Sequence, residues 1–292
     1  MKIALVFGMK MFKDQPLRKM IDIARAADEL GFAYVCLAEH VLMHASVTGM
    51  HPADELLPEP LTTLAAFAGA TERIGLMTGI LIAPLRPAGL LAKTVATLHA
   101  LAGGRRVVLG VSTSWQAEEY AALGVPFAER GRVLNETLAA ARGLWSGAPT
   151  SYHGNHVNFD DMVCQPHPEN VDDIRIWFGG KFTPRLIQRV TTLGHGWIPF
   201  QGYGESLDEI AIKVGCLRQA MSASHRDPKD LDVAYWMRTR DRPLEQVLED
   251  LPAMAAAGVT VGEFLFAPYV SEVSEAPRFL ERLARGLEPY QH

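Results

Sequence analysis

Residues 74–111 read IGLMTGILIAPLRPAGLLAKTVATLHALAGGRRVVLGV, and the spacing of their apolar residues changes twice. Ile74–Ile80 is a short apolar run, the length of a buried strand. From Pro87 to Leu101 the apolar residues recur at helical spacing, directing Leu90, Leu91, Thr94, Val95 and Leu98 toward a core. Proline at 87 suits a first helical position, where no amide bond is lost. Val107–Val111 then resumes an apolar run with strand character. Strands apolar on both faces and joined by amphipathic helices are the unit of a parallel sheet with helices packed against it.

The same alternation extends in both directions. Ile3–Phe7 is a strand, and Leu17–Leu30 a helix with Leu17, Met20, Ile21, Ala24, Ala27 and Leu30 on one face. Gly31 stops that helix as a C′ glycine, and Tyr34–Ala38 starts the next strand. Pro60–Ala70 is helical, and Arg130–Trp145 is a long helix with Leu134, Leu138 and Trp145 on one stripe. Pro149–Pro168 breaks the rhythm: Gly154, Asn158 and alternating Tyr152, His156 and Phe159 predict an inserted hairpin over the sheet. Ile174–Phe178, a helix from Pro184, Trp197–Phe200 and Leu207–Ala223 then restore the pattern. Val233–Met237, Leu244–Ala256, Val261–Phe266 and Ala276–Leu287 complete it. Eight strand–helix units predict an α/β fold, a (β/α)8 TIM barrel, in one domain over residues 1–292. The rival, an open doubly wound sheet, would carry a glycine-rich dinucleotide loop after its first strand. Gly8-Met9-Lys10-Met11-Phe12 stands there instead.

Composition narrows the function. With 48% hydrophobic and 21% charged residues, the chain can bury a large core. A net charge of −5 and no Lys/Arg-rich run argue against nucleic acid as a partner. The three cysteines lack metal-ligand spacing and suit a reducing compartment. The N-terminus reads as a strand rather than a signal peptide, and no apolar stretch has membrane-spanning length. A soluble cytoplasmic protein, with no membrane partner, is expected.

Barrel chemistry sits on the loops that follow the strands. Those positions hold Gly8, Met9 and Phe12; Glu39, His40, Met43 and His44; Gly79, Ile80, Pro84 and Arg86; Ser112–Gln116; Gly179–Lys181; and Phe200 and Gln201. Half are apolar and few are carboxylates, which suits a large planar ligand held by a few hydrogen bonds. Glu39-His40 can supply acid–base chemistry or hold a substrate, or can form a capping or salt-bridging pair. On a strand the two would point opposite ways, so only one need face the pocket. His44 is four residues after His40, a spacing for two ligands, yet neither His51 nor Asp54-Glu55 makes a convincing third, and no metal is expected. Gly179-Gly180-Lys181 before Thr183-Pro184 suits an anion at a helix start, or a tight turn. Glycine in Thr78-Gly79 marks a bulge or a close approach to a ligand. Trp115 can stack on a ring at the rim or merely cover core. The loops Leu42–Pro58 and Pro149–Pro168, with His44, Met50 and Tyr152, suggest a partly apolar small-molecule substrate.

With these residues in place, the chain resembles the luciferase-like monooxygenase superfamily, and within it the branch dependent on the deazaflavin coenzyme F420. The likeness rests on Asp28-Glu29-Leu30-Gly31-Phe32 before Glu39-His40, on Arg73-Ile74-Gly75 with Thr78-Gly79-Ile80, and on Leu101-Ala102-Gly103-Gly104-Arg105. It continues through Leu109–Tyr120, Gly124-Val125-Pro126-Phe127, Ile176-Trp177-Phe178-Gly179-Gly180 and Gly194-His195-Gly196-Trp197. The resemblance implies a bulge at Gly79-Ile80, often with a non-proline cis peptide, that supports the cofactor ring together with Thr78. It implies a cofactor phosphate around Ser112, Thr113, Ser114 and Trp115 and around Gly179-Gly180. His40, with Glu39 beside it, would be catalytic and handle the substrate proton. Three readings follow: an F420-dependent oxidoreductase moving hydride to or from a small organic substrate, a monooxygenase using reduced FMN and dioxygen, or a non-catalytic flavin-binding barrel. A homodimer is also implied. Members resembling sugar-phosphate dehydrogenases carry glutamate where Trp115 stands and glycines where Ser112 and Ser114 stand, which disfavours a sugar phosphate.

Overall fold

Eight parallel strands pair edge to edge until the last meets the first, as the computed structural model shows for residues 1–48, 55–200 and 205–290. The barrel strands are β1 (Lys2–Val6), β2 (Tyr34–Leu37), β3 (Gly75–Leu81) and β4 (Val107–Val111). They continue through β7 (Arg175–Gly180), β8 (Gly196–Pro199), β9 (Asp232–Trp236) and β10 (Val261–Leu265). Closure runs from Lys2 opposite Val261 to Val6 opposite Leu265. The predicted (β/α)8 barrel is the observed fold.

Strand alternation explains why the runs lack polar faces. In β1, Ala4 and Val6 turn inward, where they meet Cys36, Met77, Val108, Trp177 and Ile198. Ile3 and Leu5 turn outward into a larger core beneath the helices. Both faces of each strand are buried, so neither tolerates a polar stripe.

The helices include α1 (Lys19–Glu29), α2 (Pro60–Ala68), α3 (Ala88–Ala102), α4 (Ala117–Ala122) and α5 (Arg130–Leu144). Helix α1 buries Met20, Ile23, Ala24 and Ala27, with Ile21 and Leu30 half-buried against the same core, while Leu17 is exposed. Helix α3 buries Leu91, Val95, Leu98 and Ala102, while Leu90 is 58% exposed. Leu90 is about 100° round the helix from Leu91, just off the buried stripe. Pro87 is the residue before the helix, one position earlier than expected. Gly31 has φ 79, the left-handed geometry expected where α1 stops. The stretch expected as one helix over Leu244–Ala256 is two, α8 (Leu244–Leu248) and α9 (Leu251–Ala256), with Pro252 at the start of the second. After α6 (Pro184–Thr192) and α7 (Leu207–Ala223), α10 (Ala276–Leu287) closes the ring of helices.

Two buried polar residues, Asp28 and Arg106, hold this frame. Asp28, at the end of α1, accepts the amides of Glu72, Arg73 and Ile74 at 2.8, 2.9 and 2.6 Å, which locks the entry of β3. Burial raises its pKa, but those three donors outweigh it and hold the carboxyl below its usual value. Buried Arg106 reaches the carbonyls of Ile74, Thr71 and Ala102 from the start of β4. The predicted hairpin forms from β5 (Thr150–His153) and β6 (Asn158–Met162). It is pinned to the side of α5, where Glu136 accepts the amides of Asn155, His156 and Val157. No helix among the described residues is long and apolar enough to cross a membrane.

Candidate active site

Past the end of β2 the alternation of the strand decides where Glu39 and His40 go. Glu39 has the parity of Val35 and Leu37, which face the helices, and its carboxylate is consumed there. Its Oε2 accepts the Ile82 amide at 2.6 Å and Arg86 Nη1 at 2.9 Å, and its Oε1 accepts Arg86 Nη2 at 2.5 Å. Arg86 Nη2 also reaches Glu59 at 2.6 Å, ahead of α2. Glu39 therefore ties β2, α2 and the segment after β3 into one piece, which is the salt-bridging alternative left open by the sequence.

His40 has the parity of Cys36, which faces the barrel axis. Its Nδ1 lies 3.0 Å from Oε2 of Glu119, a carboxylate fully buried at the start of α4. Glu119 Oε1 accepts the amides of Val41 and Leu42 at 2.6 and 3.1 Å. Gln116 completes the clamp, accepting the His44 amide at 2.9 Å and donating to the Leu42 carbonyl at 2.7 Å. An ionised carboxylate only accepts, so the neutral ring would carry its proton on Nδ1. His44 turns to Ser46 and shares no ligand cluster with His40. Among the described residues no group of three or more His, Cys, Asp or Glu is gathered for a metal ion.

The strand-4 loop stands beside this pair. Trp115 is 55% exposed and meets the His40 ring edge to face, centroids 5.7 Å apart, so it stands at the rim rather than in core. Ser114 takes φ 55, a left-handed conformation that glycine would adopt without strain. The Tyr120 hydroxyl donates to the Thr113 carbonyl at 2.5 Å and fixes the loop to α4. Burial pushes that hydroxyl's pKa upward.

Strands β3, β4 and β7 close the other side. The Gly79–Ile80 peptide is cis, and the β3–β4 register shifts between Thr78 and Leu81, the bulge that the resemblance implied. The Thr78 hydroxyl donates to the Gly110 carbonyl at 2.8 Å. A Cβ on Gly110 would strike the Thr78 carbonyl, so only glycine permits this strand spacing. Gly179 stands against Ile80, since a Cβ there would lie 2.7 Å from Ile80 Cγ2 and 3.6 Å from Ser112 Cβ. Among the described residues, a Cβ on Gly180, which has φ 130, would have the Ser112 hydroxyl as its near neighbour at 4.0 Å. Thr183 caps α6 with its hydroxyl, accepting the Leu186 amide at 3.2 Å.

The structure thus gathers two adjoining groups at one end of the barrel: His40 with Trp115, and Ser112 with Ile80, Gly179 and Gly180. Glu39 and Thr78 are buried behind them. Met50, His51, Asp54 and Gln201 lie outside the described residues. Glu119 was not foreseen as a site residue. Its signal was a short helix carrying Gln116 and Glu119 three positions apart, both on the buried face beside Tyr120.

Comparison with known proteins identifies the family. The model described as luciferase-like monooxygenase matches residues 5–289. The chain belongs to that family. It is an oxidoreductase of the luciferase-like kind. One relative is the F420-dependent glucose-6-phosphate dehydrogenase of Microbacterium testaceum, 29% identical over 83% of this chain and 70% of that protein. Another is the FMNH(2)-dependent dimethylsulfone monooxygenase of Pseudomonas putida, 29% identical over 80% of this chain and 62% of that protein. Among solved structures, monooxygenase RslO1 of Streptomyces bottropensis covers both chains fully with a TM-score of 0.79 at 20% identity.

Proposed function

We propose that this chain is an F420-dependent oxidoreductase that exchanges hydride with a small organic alcohol or carbonyl compound. The observation that carries the reading is the buried Glu119–His40 pair at the strand ends. When a carbinol carbon gives up hydride, its oxygen must give up a proton, and a histidine fixed at Nδ1 accepts one at Nε2. In the reverse direction the same nitrogen returns it. Glu119 is a positioning residue, holding the tautomer and the ring orientation. Glu39 is assigned the same kind of role through Arg86.

The residues present suit a deazaflavin or flavin. When bound, the cofactor would supply the hydride chemistry, and this chain supplies binding and orientation. The bulge formed by Thr78, Gly79 and Ile80 would support the ring system, with Trp115 at its edge. A phosphate would approach the backbone at Gly180 beside the Ser112 hydroxyl, with Thr113 and Ser114 shaping that loop and Gly179 its far wall. The exposed leucines Leu90 and Leu101 on α3 support a homodimer, which sedimentation velocity tests.

A second reading, an FMN-dependent monooxygenase, is favoured by the likeness to the dimethylsulfone monooxygenase. Fluorescence titration of cofactor-free protein with F420 and with FMN separates the two. Tight binding of F420 followed by anaerobic oxidation of an alcohol series is expected. Binding of FMN alone would overturn the first reading in favour of the second.

A further inference from the structure

Beneath the bulge lies a carboxylic acid that the proposed chemistry leaves unused. Glu263 stands midway along β10, in register with Ala4 of β1 and Trp236 of β9. It shares the parity of Val261 and Leu265, both of which face the barrel interior, and is only 5% exposed. Its Oε1 lies 3.3 Å from the position a Cβ would take on Gly79, and the Cys36 thiol crowds the same point. Gly79 is therefore floored by one acid and one thiol.

Among the described residues no hydrogen bond or ion pair supports the charged form of Glu263, and burial alone pushes its pKa up to about 7. Of the elements facing it, β1 presents Ala4 and Val6, β3 presents Met77 and Gly79, and β9 presents Ala234 and Trp236, none of them ionisable. Among the described residues the one titratable neighbour is Cys36 on β2, whose thiol is pushed well up, first by burial and then by Glu263. Core acids are normally excluded or paired, so an unpaired one in a barrel of apolar side chains calls for a use.

Resting on the reading of a flavin-type ring over Gly79–Ile80, we propose that Glu263 senses the charge of the cofactor, with the protein taking up a proton there when an anionic, reduced ring binds. The physics is electrostatic. A reduced flavin or deazaflavin ring loses a proton near neutral pH and becomes an anion. A carboxylate below it would repel that charge across a medium of low dielectric, whereas a neutral carboxyl would not. The oxidised flavin ring is neutral and places no such demand on Glu263. The residue thus makes the relative affinity for the two redox states depend on pH, through a group that never touches the substrate.

The test compares wild type with Glu263→Gln, which keeps the shape and stays neutral at every pH. Reduced FMN and reduced F420 serve as anaerobic fluorescence probes. The ratio of wild-type to variant Kd is expected to rise from about one at about pH 6 to about ten at about pH 8.5. For oxidised FMN, whose ring is neutral over this range, it stays near one throughout. In cofactor-free protein, an infrared band of a neutral carboxyl, absent from the variant, is expected to fade as pH rises through about 7. Should the variant fail to fold, an indicator dye measures proton uptake by wild type on binding reduced FMN at about pH 8, expected to exceed that of oxidised FMN by up to about one proton per site. Binding of a reduced probe with a flat ratio, or with no extra proton uptake, overturns the sensor while leaving the cofactor reading in place. If neither cofactor binds wild type in either redox state, the cofactor reading falls and takes the sensor with it.

Discussion

His40 and His195 each place a ring nitrogen 3.0 Å from a carboxylate, but at opposite ends of the barrel. His40 follows β2 at the end where Ser112 and Gly179–Gly180 meet, whereas His195 precedes β8. The ring of His195 is spent on the fold. Its Nδ1 accepts the Ile176 amide at 3.0 Å, its Nε2 faces Asp172, and its backbone exchanges bonds with Ile176 and Asp232. Burial pushes its pKa down to about 4 against the opposing pull of Asp172. The ring is thus neutral at physiological pH and acts as a peptide-like connector between strands. A histidine–carboxylate pair is therefore no sign of chemistry by itself. On the proposed reading, the end of the strands that the pair occupies separates the two roles.

The sharpest way to break this contrast is to truncate both rings. His40→Ala is expected to lower turnover by about 10²–10⁴-fold while cofactor affinity, read by fluorescence, changes by less than about threefold. His195→Ala is expected to leave turnover per folded molecule intact and to cost about 1–3 kcal/mol of stability in urea melts, because the Ile176 amide loses its partner. Comparable losses of turnover in both variants would erase the distinction.

Acid titration supplies the next largest effect. His195 has a depressed folded pKa, about 4 against 6.5, so the unfolded chain binds more protons between those values. Its contribution is fully present above about pH 6.5 and is lost as pH falls toward about 4. The depth is about 3 kcal/mol. The difference in unfolding free energy between wild type and His195→Ala should shrink over that window and stay level above it. A gap that held constant down to about pH 4 would contradict a neutral, buried ring.

The barrel was legible because each strand is buried on both faces and each helix on one, so the apolar period changes where the structure changes. Leu90 was misplaced because a helical stripe read from spacing alone is wider than the face that α3 buries. At the site, His40 could be found at a strand end, but not its partner. Glu119 is 79 residues away in sequence, and only the β3–β4 side of the barrel brings α4 over β2. Glu39 was visible as an acid, but whether it faced substrate or Arg86 depends on strand parity, which a single sequence leaves open. Glu263 went unseen for a related reason. Inside an apolar strand one acid reads as an interruption, and its isolation appears only once the interior is assembled.

The carboxylates sharpen the comparison further. Glu119→Gln leaves the amides of Val41 and Leu42 and the His40 ring facing a side-chain amide that both donates and accepts. Turnover is expected to fall by about 10–100-fold with little change in cofactor binding. An unchanged rate would remove Glu119 from the positioning of His40.

Asp172→Asn should have the smallest effect of the set. Asp172 is 52% exposed and shared with Arg142, so solvent screens its attraction for His195. An asparagine oxygen can still accept from Nε2, which leaves the neutral ring satisfied. The cost in urea melts near neutral pH is expected to stay below about 1 kcal/mol. The sign in acid is more informative. Asp172 raises the pKa of His195, so its loss should lower that value further below the unfolded one. The acid-induced loss of stability would then continue to lower pH than in wild type. If the loss instead ended at higher pH, the His195 ring would be gaining charge more readily without its acid, and burial would not be the force that keeps it neutral.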